Sequence, residues 1–287
     1  MPSLADRLLA LIQWPLPQHW LSRIVLAFTR WRFRPFKNFM IRLICRLYRV
    51  DLSEAVKTEA EGYESFNAFF TRALTGGARP LASGEGAVLC PVDGAVSQAG
   101  EIQDGRVFQA KGKDFSLAEL LGGDAERARS FAGGTFATLY LSPKDYHRIH
   151  MPLAGELVET VQVPGRLWAV NPATARAVPR LFARNERLAA IFETEAGPMA
   201  LVMVGAIFVS AVETVWGGLE TPPTRSRPHR KNYRDAAMRL DFGAEMGRFN
   251  MGSTVIALFG PGAVELAPAI TPGAPIRMGQ LLANLRG

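Results

Sequence analysis

No acidic residue lies between Arg7 and Val50. Over residues 1–50, Asp6 alone opposes Arg7, Arg23, Arg30, Arg32, Arg34, Lys37, Arg42, Arg46 and Arg49, so this segment carries +8. The whole chain of 287 residues carries +7, which leaves −1 for the remainder. The basic character therefore belongs to the N-terminus and not to the whole protein. Cysteine is scarce: Cys45 and Cys90 stand far apart with no C-x-x-C spacing, which excludes a disulfide framework and makes a reducing compartment the simplest setting. Long hydrophobic runs are also missing. The longest uncharged stretch, Ala196 to Val212, is 17 residues, at the lower limit for a membrane span, and its Gly205 and valines read as buried strands. The apolar stretch Leu8–Ile12 is too short for a signal peptide and is followed by Pro15 and Pro17. No internal repeat is visible.

What is present fits an ordinary globular composition, with 48% hydrophobic and 21% charged residues. The 27 glycines and 19 prolines imply many turns and short elements, so a β-rich catalytic part is expected. Strand-like runs occur at Ala87–Leu89, Gly94–Gln98, Arg106–Ala110, Thr135–Leu141, Leu157–Val163, Leu188–Thr194, Met199–Val204, Phe208–Val215 and Thr254–Phe259. Leu117–Leu121 reads as a short helix. Residues 51–80 read as a helical connector in which Ser65 caps a helix bearing Phe66, Phe69 and Phe70. Pro222 to Tyr233 is polar and basic and reads as an exposed loop.

The basic N-terminus is rich in apolar groups, among them Trp14, Trp20, Phe28, Trp31, Phe33, Phe36 and Phe39. These are too many for an arm that only binds phosphates, which disfavours nucleic acid. A helix over Phe36–Val50 places Asn38, Arg42, Arg46 and Arg49 on one face and Phe36, Phe39, Met40, Leu43 and Leu47 on the other. Such a helix suits an anionic membrane surface, or packs its apolar face on the protein itself.

Candidate chemistry is concentrated in three places. Two of the four histidines, His147 and His150, fall in Tyr146-His147-Arg148-Ile149-His150-Met151-Pro152. With no H-E-x-x-H and no cysteine pair to complete a ligand set, acid–base work is expected here rather than metal binding. Asp93 sits in Pro91-Val92-Asp93-Gly94, a turn signature, and Ser253 in Met251-Gly252-Ser253-Thr254. Together Asp, His and Ser are the parts of a relay in which a carboxylate orients a His that deprotonates a Ser. No G-x-S-x-G elbow accompanies them.

PVDG at 91–94, YHRIHMP at 146–152, VNPATARAVPRLFARNER at 170–187, ETVWGG at 213–218 and EMGRFNMGSTVI at 245–256 resemble the phosphatidylserine decarboxylase family, over about residues 60–265. The family usually has Leu where this chain has Met251, a change of similar volume. The resemblance implies a bacterial, membrane-associated, pyruvoyl-dependent proenzyme. Ser253 would attack the Gly252 carbonyl, activated by Asp93 and His150. The peptide would become an ester and break by elimination, giving a β chain 1–252, an α chain 253–287 and a pyruvoyl group from Ser253. A glycine at 252 leaves its carbonyl approachable. The pyruvoyl would form a Schiff base with phosphatidylserine and act as electron sink for loss of CO2, yielding phosphatidylethanolamine, with His147 assisting decarboxylation or donating the proton.

The resemblance further implies an α+β architecture: N-terminal amphipathic helices (residues 1–60) followed by a mostly antiparallel, sandwich- or barrel-like catalytic domain (residues 61–287). The α and β chains would stay together non-covalently, with a homodimer by analogy, peripheral on the cytoplasmic face of the cell membrane. The competing expectations are a decarboxylase of another seryl lipid, a Ser/His/Asp hydrolase that remains one polypeptide, and a non-enzymatic membrane-binding module.

Overall fold

The computed structural model describes residues 2–207, 211–222, 225–250 and 254–286. The expected cleavage pair Gly252-Ser253, with Met251, lies outside the described residues, as do residues 208–210 of the expected strand Phe208–Val215.

Three helices open the chain: α1 (Leu4–Gln13), α2 (Gln18–Arg30) and α3 (Arg34–Tyr48). Ser3 and Asp6 form a reciprocal cap on α1, Pro17 precedes α2, and a proline in the first turn opens α3, so each start has a local cause. Their orientation is unusual. The buried side chains of α1 and α2 are the polar Asp6, Gln13, Gln18, Ser22 and Thr29, while Ile12 and Trp20 are 66% and 61% exposed, with Leu4, Leu8, Trp14, Phe28 and Trp31 also exposed. The inward polar groups are used: Asp6 takes a two-pronged bond from Arg176, and the Gln13 and Gln18 carbonyls accept from Ala169 and Leu167 N–H. No helix among the described residues is long and apolar enough to cross a membrane.

In α3 the expected apolar face divides. Met40, Ile41 and Ile44 pack inward on Tyr63, Phe66, Phe69 and Phe70, whereas Phe39 and Leu47 point outward. The inward set follows the i, i+1, i+4 spacing one step round from the face read in the sequence. The segment 51–80 is less helical than expected. It contains a short 3₁₀ turn at Ala60–Gly62 and α4 (Phe66–Phe70), capped by Ser65 as the sequence suggests, and is otherwise irregular.

The rest is antiparallel β structure. Among the described residues, the largest sheet has nine strands. Its path runs His229–Asn232, Gly155–Val163, Arg187–Thr194, Gly197–Val204, Thr254–Phe259, Thr135–Tyr140, Gly94–Glu101 and Pro275–Ile276, with Arg239–Leu240 paired to Gly155–Val163. A four-stranded sheet joins Gly218–Leu219, Val212–Thr214, Glu245–Phe249 and Arg148–His150, and a three-stranded one joins Ala87–Leu89, Leu281–Leu285 and Val264–Leu266. None closes into a barrel.

The central sheet is buried on both faces. On one side Val255, Ala257 and Phe259 join Leu188, Leu201 and Met203 in a core shared with the smaller sheets. On the other, Ile256 and Leu258 join Ala189, Val202 and Phe182 under short helices. Alternate residues of one strand thus serve two cores, which is why these strands read as continuous apolar runs. The expected loop Pro222–Tyr233 instead contributes the edge strand His229–Asn232. Its side chains remain polar and partly exposed because the strand joins the sheet through its backbone, so no apolar alternation marks it.

Candidate active site

Asp93, His150 and the chain beside residue 253 are brought to one corner by strand pairing. Gly94 begins a strand in which Ala95 pairs with Tyr140, and Tyr140 pairs on its other side with Thr254. Gly94 has φ of +151°, and a Cβ there would lie 2.1 Å from the Tyr140 carbonyl oxygen, so this close approach requires glycine. The His150 backbone N–H donates to the Pro91 carbonyl at 2.9 Å, tying the histidine segment to the turn that carries Asp93. A pocket of about 600 Å3 opens at this corner. Its walls include Asp93, Tyr140, Tyr146, Arg72, Arg79 and Arg277.

His150 is fixed at both ring nitrogens. Nδ1 lies 2.8 Å from the Gly243 carbonyl, which can only accept, so Nδ1 carries the proton. Nε2 is then the lone-pair nitrogen and receives the Tyr146 hydroxyl at 3.1 Å. Burial holds the imidazole below its ordinary range, outweighing the Gly243 carbonyl and Glu245, which favour the charged form. The result is a neutral base with Nε2 turned to a pocket-lining hydroxyl. Burial also pushes the Tyr146 phenol up to about 12.

Asp93 is not hydrogen-bonded to His150. Its carboxylate is gripped by Arg79, with Nε at 3.0 and 3.2 Å and Nη2 at 2.6 Å, and accepts the Met278 N–H at 2.8 Å. Arg79 in turn meets Glu54, which also meets Arg277. Asp93 acts on His150 through space, favouring the charged imidazole. The expected relay of Asp93 on His150 has no direct hydrogen bond in the structure.

His147 stands apart from the pocket walls. It is fully buried and lies flat on the Phe70 ring, centroids 4.0 Å apart. Burial, followed by the nearby Arg72 charge, pushes it down to about 3; the backbone at Ser142 and Pro143 offsets little of this. Neither ring nitrogen makes a hydrogen bond of ordinary geometry, although the backbone at Ser142 and Pro143 lies near enough to favour the charged form. Arg72, also buried, donates through Nη2 to the Lys144 carbonyl at 2.8 Å, and its Nε and Nη1 are unpartnered. The His147 carbonyl accepts from Phe249 N–H, and Asn250 is held by Ala211 and Asn67, so the chain on the N-terminal side of residue 251 is anchored to the histidine segment.

Sequence reasoning passed over Tyr146, Arg79, Arg72 and Gly243. Tyr146 had a signal, lying four residues before His150 in the same motif. Arg79 and Gly243 had none, because their partners are 14 and 93 residues away. Among the described residues no group of three or more His, Cys, Asp or Glu could hold a metal ion.

Comparison with known proteins identifies the family. Residues 66–284 match the family model described as phosphatidylserine decarboxylase, and residues 8–49 match a second described as PSD. The phosphatidylserine decarboxylase proenzyme of Ectopseudomonas mendocina (strain ymp) is 57% identical over 97% of this chain and 98% of its own length. The proteins of that name from Pseudomonas aeruginosa (strain LESB58) and Pseudomonas putida (strain GB-1) are both 56% identical, over 98% and 97% of this chain and 98% of their own lengths. The hydrolase and binding-module expectations are not favoured by these matches, and the chain belongs to the phosphatidylserine decarboxylase family of lyases.

Proposed function

We propose that this chain cuts itself between Gly252 and Ser253, converts Ser253 into a pyruvoyl group, and decarboxylates phosphatidylserine at the surface of an anionic membrane. The observation that carries the reading is the fixed tautomer of His150: a half-buried, neutral imidazole whose basic Nε2 faces the pocket through Tyr146. Such a base takes the Ser253 hydroxyl proton as the oxygen adds to the Gly252 carbonyl. Asp93, held in place by Arg79, stabilises the imidazolium that this transfer creates.

The residues on hand suit the group that results. Asp93 and Tyr146 line the pocket beside Thr254's partner Tyr140, and the buried Arg72 offers it positive charge with two N–H groups unsatisfied. The pyruvoyl carbonyl supplies the electron sink for loss of CO2. Arg72 suits the anionic groups of the substrate. His147, neutral and without a side-chain hydrogen-bond partner, is the candidate proton carrier for the decarboxylation step.

Residues 1–60 form the membrane-associating region of this reading and residues 61–287 the catalytic domain, made of a β chain 1–252 and an α chain 253–287. Their continued association after cleavage is supported by Thr254–Phe259, every residue of which is buried between two strands of the other chain. Membrane docking at the cytoplasmic face is supported by the outward apolar side chains of α1 and α2 beside an excess of arginine.

The test is an intact-mass spectrum of the denatured protein. Two chains split after Gly252, the smaller beginning in a pyruvoyl group, and a single chain for Ser253→Ala, are the expected result. One uncut chain in active wild-type protein would overturn the mechanism.

A further inference from the structure

Among the described residues, three arginines without carboxylate partners lie at or beside a small apolar pocket between α1 and the segment 166–184. The pocket, about 320 Å3, has Arg7, Leu11 and Trp14 on one wall and Trp168, Val178 and Arg184 on the other. The Trp14 and Trp168 rings lie 5.5 Å apart. The Arg166 guanidinium, just outside the pocket lining, covers Trp14 at 5.5 Å and donates to the Trp14 carbonyl at 3.2 Å, and Arg184 lies 5.7 Å from both rings. Nearby arginines are neutralised, Arg176 by Asp6 and Arg180 by Glu119, but Arg7, Arg166 and Arg184 are not. Arg184 is held below its ordinary range by burial and then by the charges of Arg180 and Arg166. Trp168, 1% exposed, has an indole N–H with no acceptor in the structure.

Uncompensated positive charge around a concave apolar wall is complementary to one kind of ligand, an anion joined to a hydrocarbon chain. We propose that this pocket binds one anionic phospholipid of the membrane, its phosphate against Arg7 and Arg184 with Arg166 adding charge from beside the pocket, and one acyl chain over Leu11, Trp14 and Val178. The guanidinium groups supply charge-assisted bonds to phosphate oxygens, and the paired indoles supply the apolar floor. Because α1 forms one wall and the 166–184 segment the other, the bound lipid fastens the N-terminal helix to the catalytic part. The site shares no lining residue with the pocket that holds Asp93 and Tyr146. The proposal goes beyond surface docking by α1–α3, which requires only a membrane; this one requires a single saturable site for a lipid monomer.

The experiment is isothermal titration of the full-length protein with dihexanoylphosphatidylglycerol kept below its micelle concentration, and with dihexanoylphosphatidylcholine as the zwitterionic control. The expected result is saturable binding of the anionic lipid that is about tenfold weaker in Leu11→Glu and in Arg7→Gln/Arg184→Gln, a difference of about 1.4 kcal/mol. The control lipid should bind at least about tenfold more weakly, by the same relation. Arg7 and Leu11 are exposed, so Leu11→Glu and Arg7→Gln alone retain the fold, which an unchanged melting curve verifies. Equal affinity for the two lipids, no saturable binding, or wild-type affinity in Leu11→Glu would each overturn the proposal; a phase insensitive to the variants belongs to the larger pocket. Wild-type binding to anionic vesicles, measured alongside by co-sedimentation, separates this failure from failure of the docking reading.

Discussion

The Tyr146 hydroxyl donates to His150 Nε2 across 3.1 Å, while the opposite ring nitrogen is held by Gly243. A hydroxyl donating to the lone pair can do so only when the imidazole is neutral, so it favours the base form. Tyr146→Phe keeps the ring beside His150 and removes that bond. The His150 pKa should then rise toward its ordinary value. Self-cleavage needs the neutral imidazole, so the acid limb of its rate profile should move to higher pH. One hydrogen bond of about 1 kcal/mol corresponds to slowing of about fivefold. Time courses of cleavage on denaturing gels at pH 6 and pH 8 check this: the slowing should be larger at pH 6, and equal slowing at both would reduce Tyr146 to a packing role.

Arg79 and Asp93 form a buried, forked ion pair, with side chains 8% and 9% exposed. Arg79→Ala strands the Asp93 carboxylate with one backbone N–H and should cost about 3–5 kcal/mol. Arg79→Lys keeps the charge but not the fork and should cost less. Both should impair self-cleavage, since the carboxylate that stabilises charged His150 is displaced. Urea unfolding and the extent of cleavage report the two effects separately. Normal stability together with normal cleavage in Arg79→Ala would remove the clamp from the mechanism.

The contrast between these two residues shows what sequence could and could not convey. The strand Thr254–Phe259 was legible with its bounds because five consecutive apolar residues, Val255 to Phe259, end at glycine and proline, a local pattern. Asp93, His147 and His150 can be proposed from sequence because their motifs are short and contiguous. Arg79 was not, since its role depends on a fold that brings the connector to the PVDG turn. His229–Asn232 was missed because an edge strand bound through its backbone needs no apolar alternation. The outward apolar faces of α1 and α2 were half legible: the aromatic and basic content was visible, but not that Gln13 and Gln18 would be the buried side.

His147 links stability to pH. It is buried and neutral, with its pKa pushed down to about 3 from an ordinary value near 6.5. The unfolded chain therefore takes up a proton at this residue as pH falls below about 6.5, while the folded chain does not until about pH 3. The contribution is fully present above pH 6.5 and is lost on acidification, by about 2 kcal/mol at pH 5. His147→Gln should be less stable at pH 7.5, having lost the ring stacked on Phe70, yet its stability should fall less between pH 7.5 and pH 5. Urea midpoints at the two pH values measure the difference. An identical fall in both proteins would mean that His147 is protonated in the folded state.

The exposed aromatic residues of α2 and the arginines of α3 should contribute to membrane binding in different ways. Trp20 and Phe28 are more than half exposed, so replacing either with Glu removes little packing and should leave the melting temperature nearly unchanged. Burying such a side chain in the interface is worth about 1–2 kcal/mol, so each change should weaken vesicle binding by about tenfold. The loss should appear with phosphatidylcholine alone as well as with added phosphatidylglycerol, because hydrocarbon burial does not depend on lipid charge. Arg46→Gln, at an exposed site of α3, should cost about 1 kcal/mol on the anionic vesicles alone, and less as salt is raised. Co-sedimentation across the two vesicle types and two salt concentrations separates the terms. If the Glu variants bind as tightly as wild type on both, the outward face of α2 is not what meets the membrane.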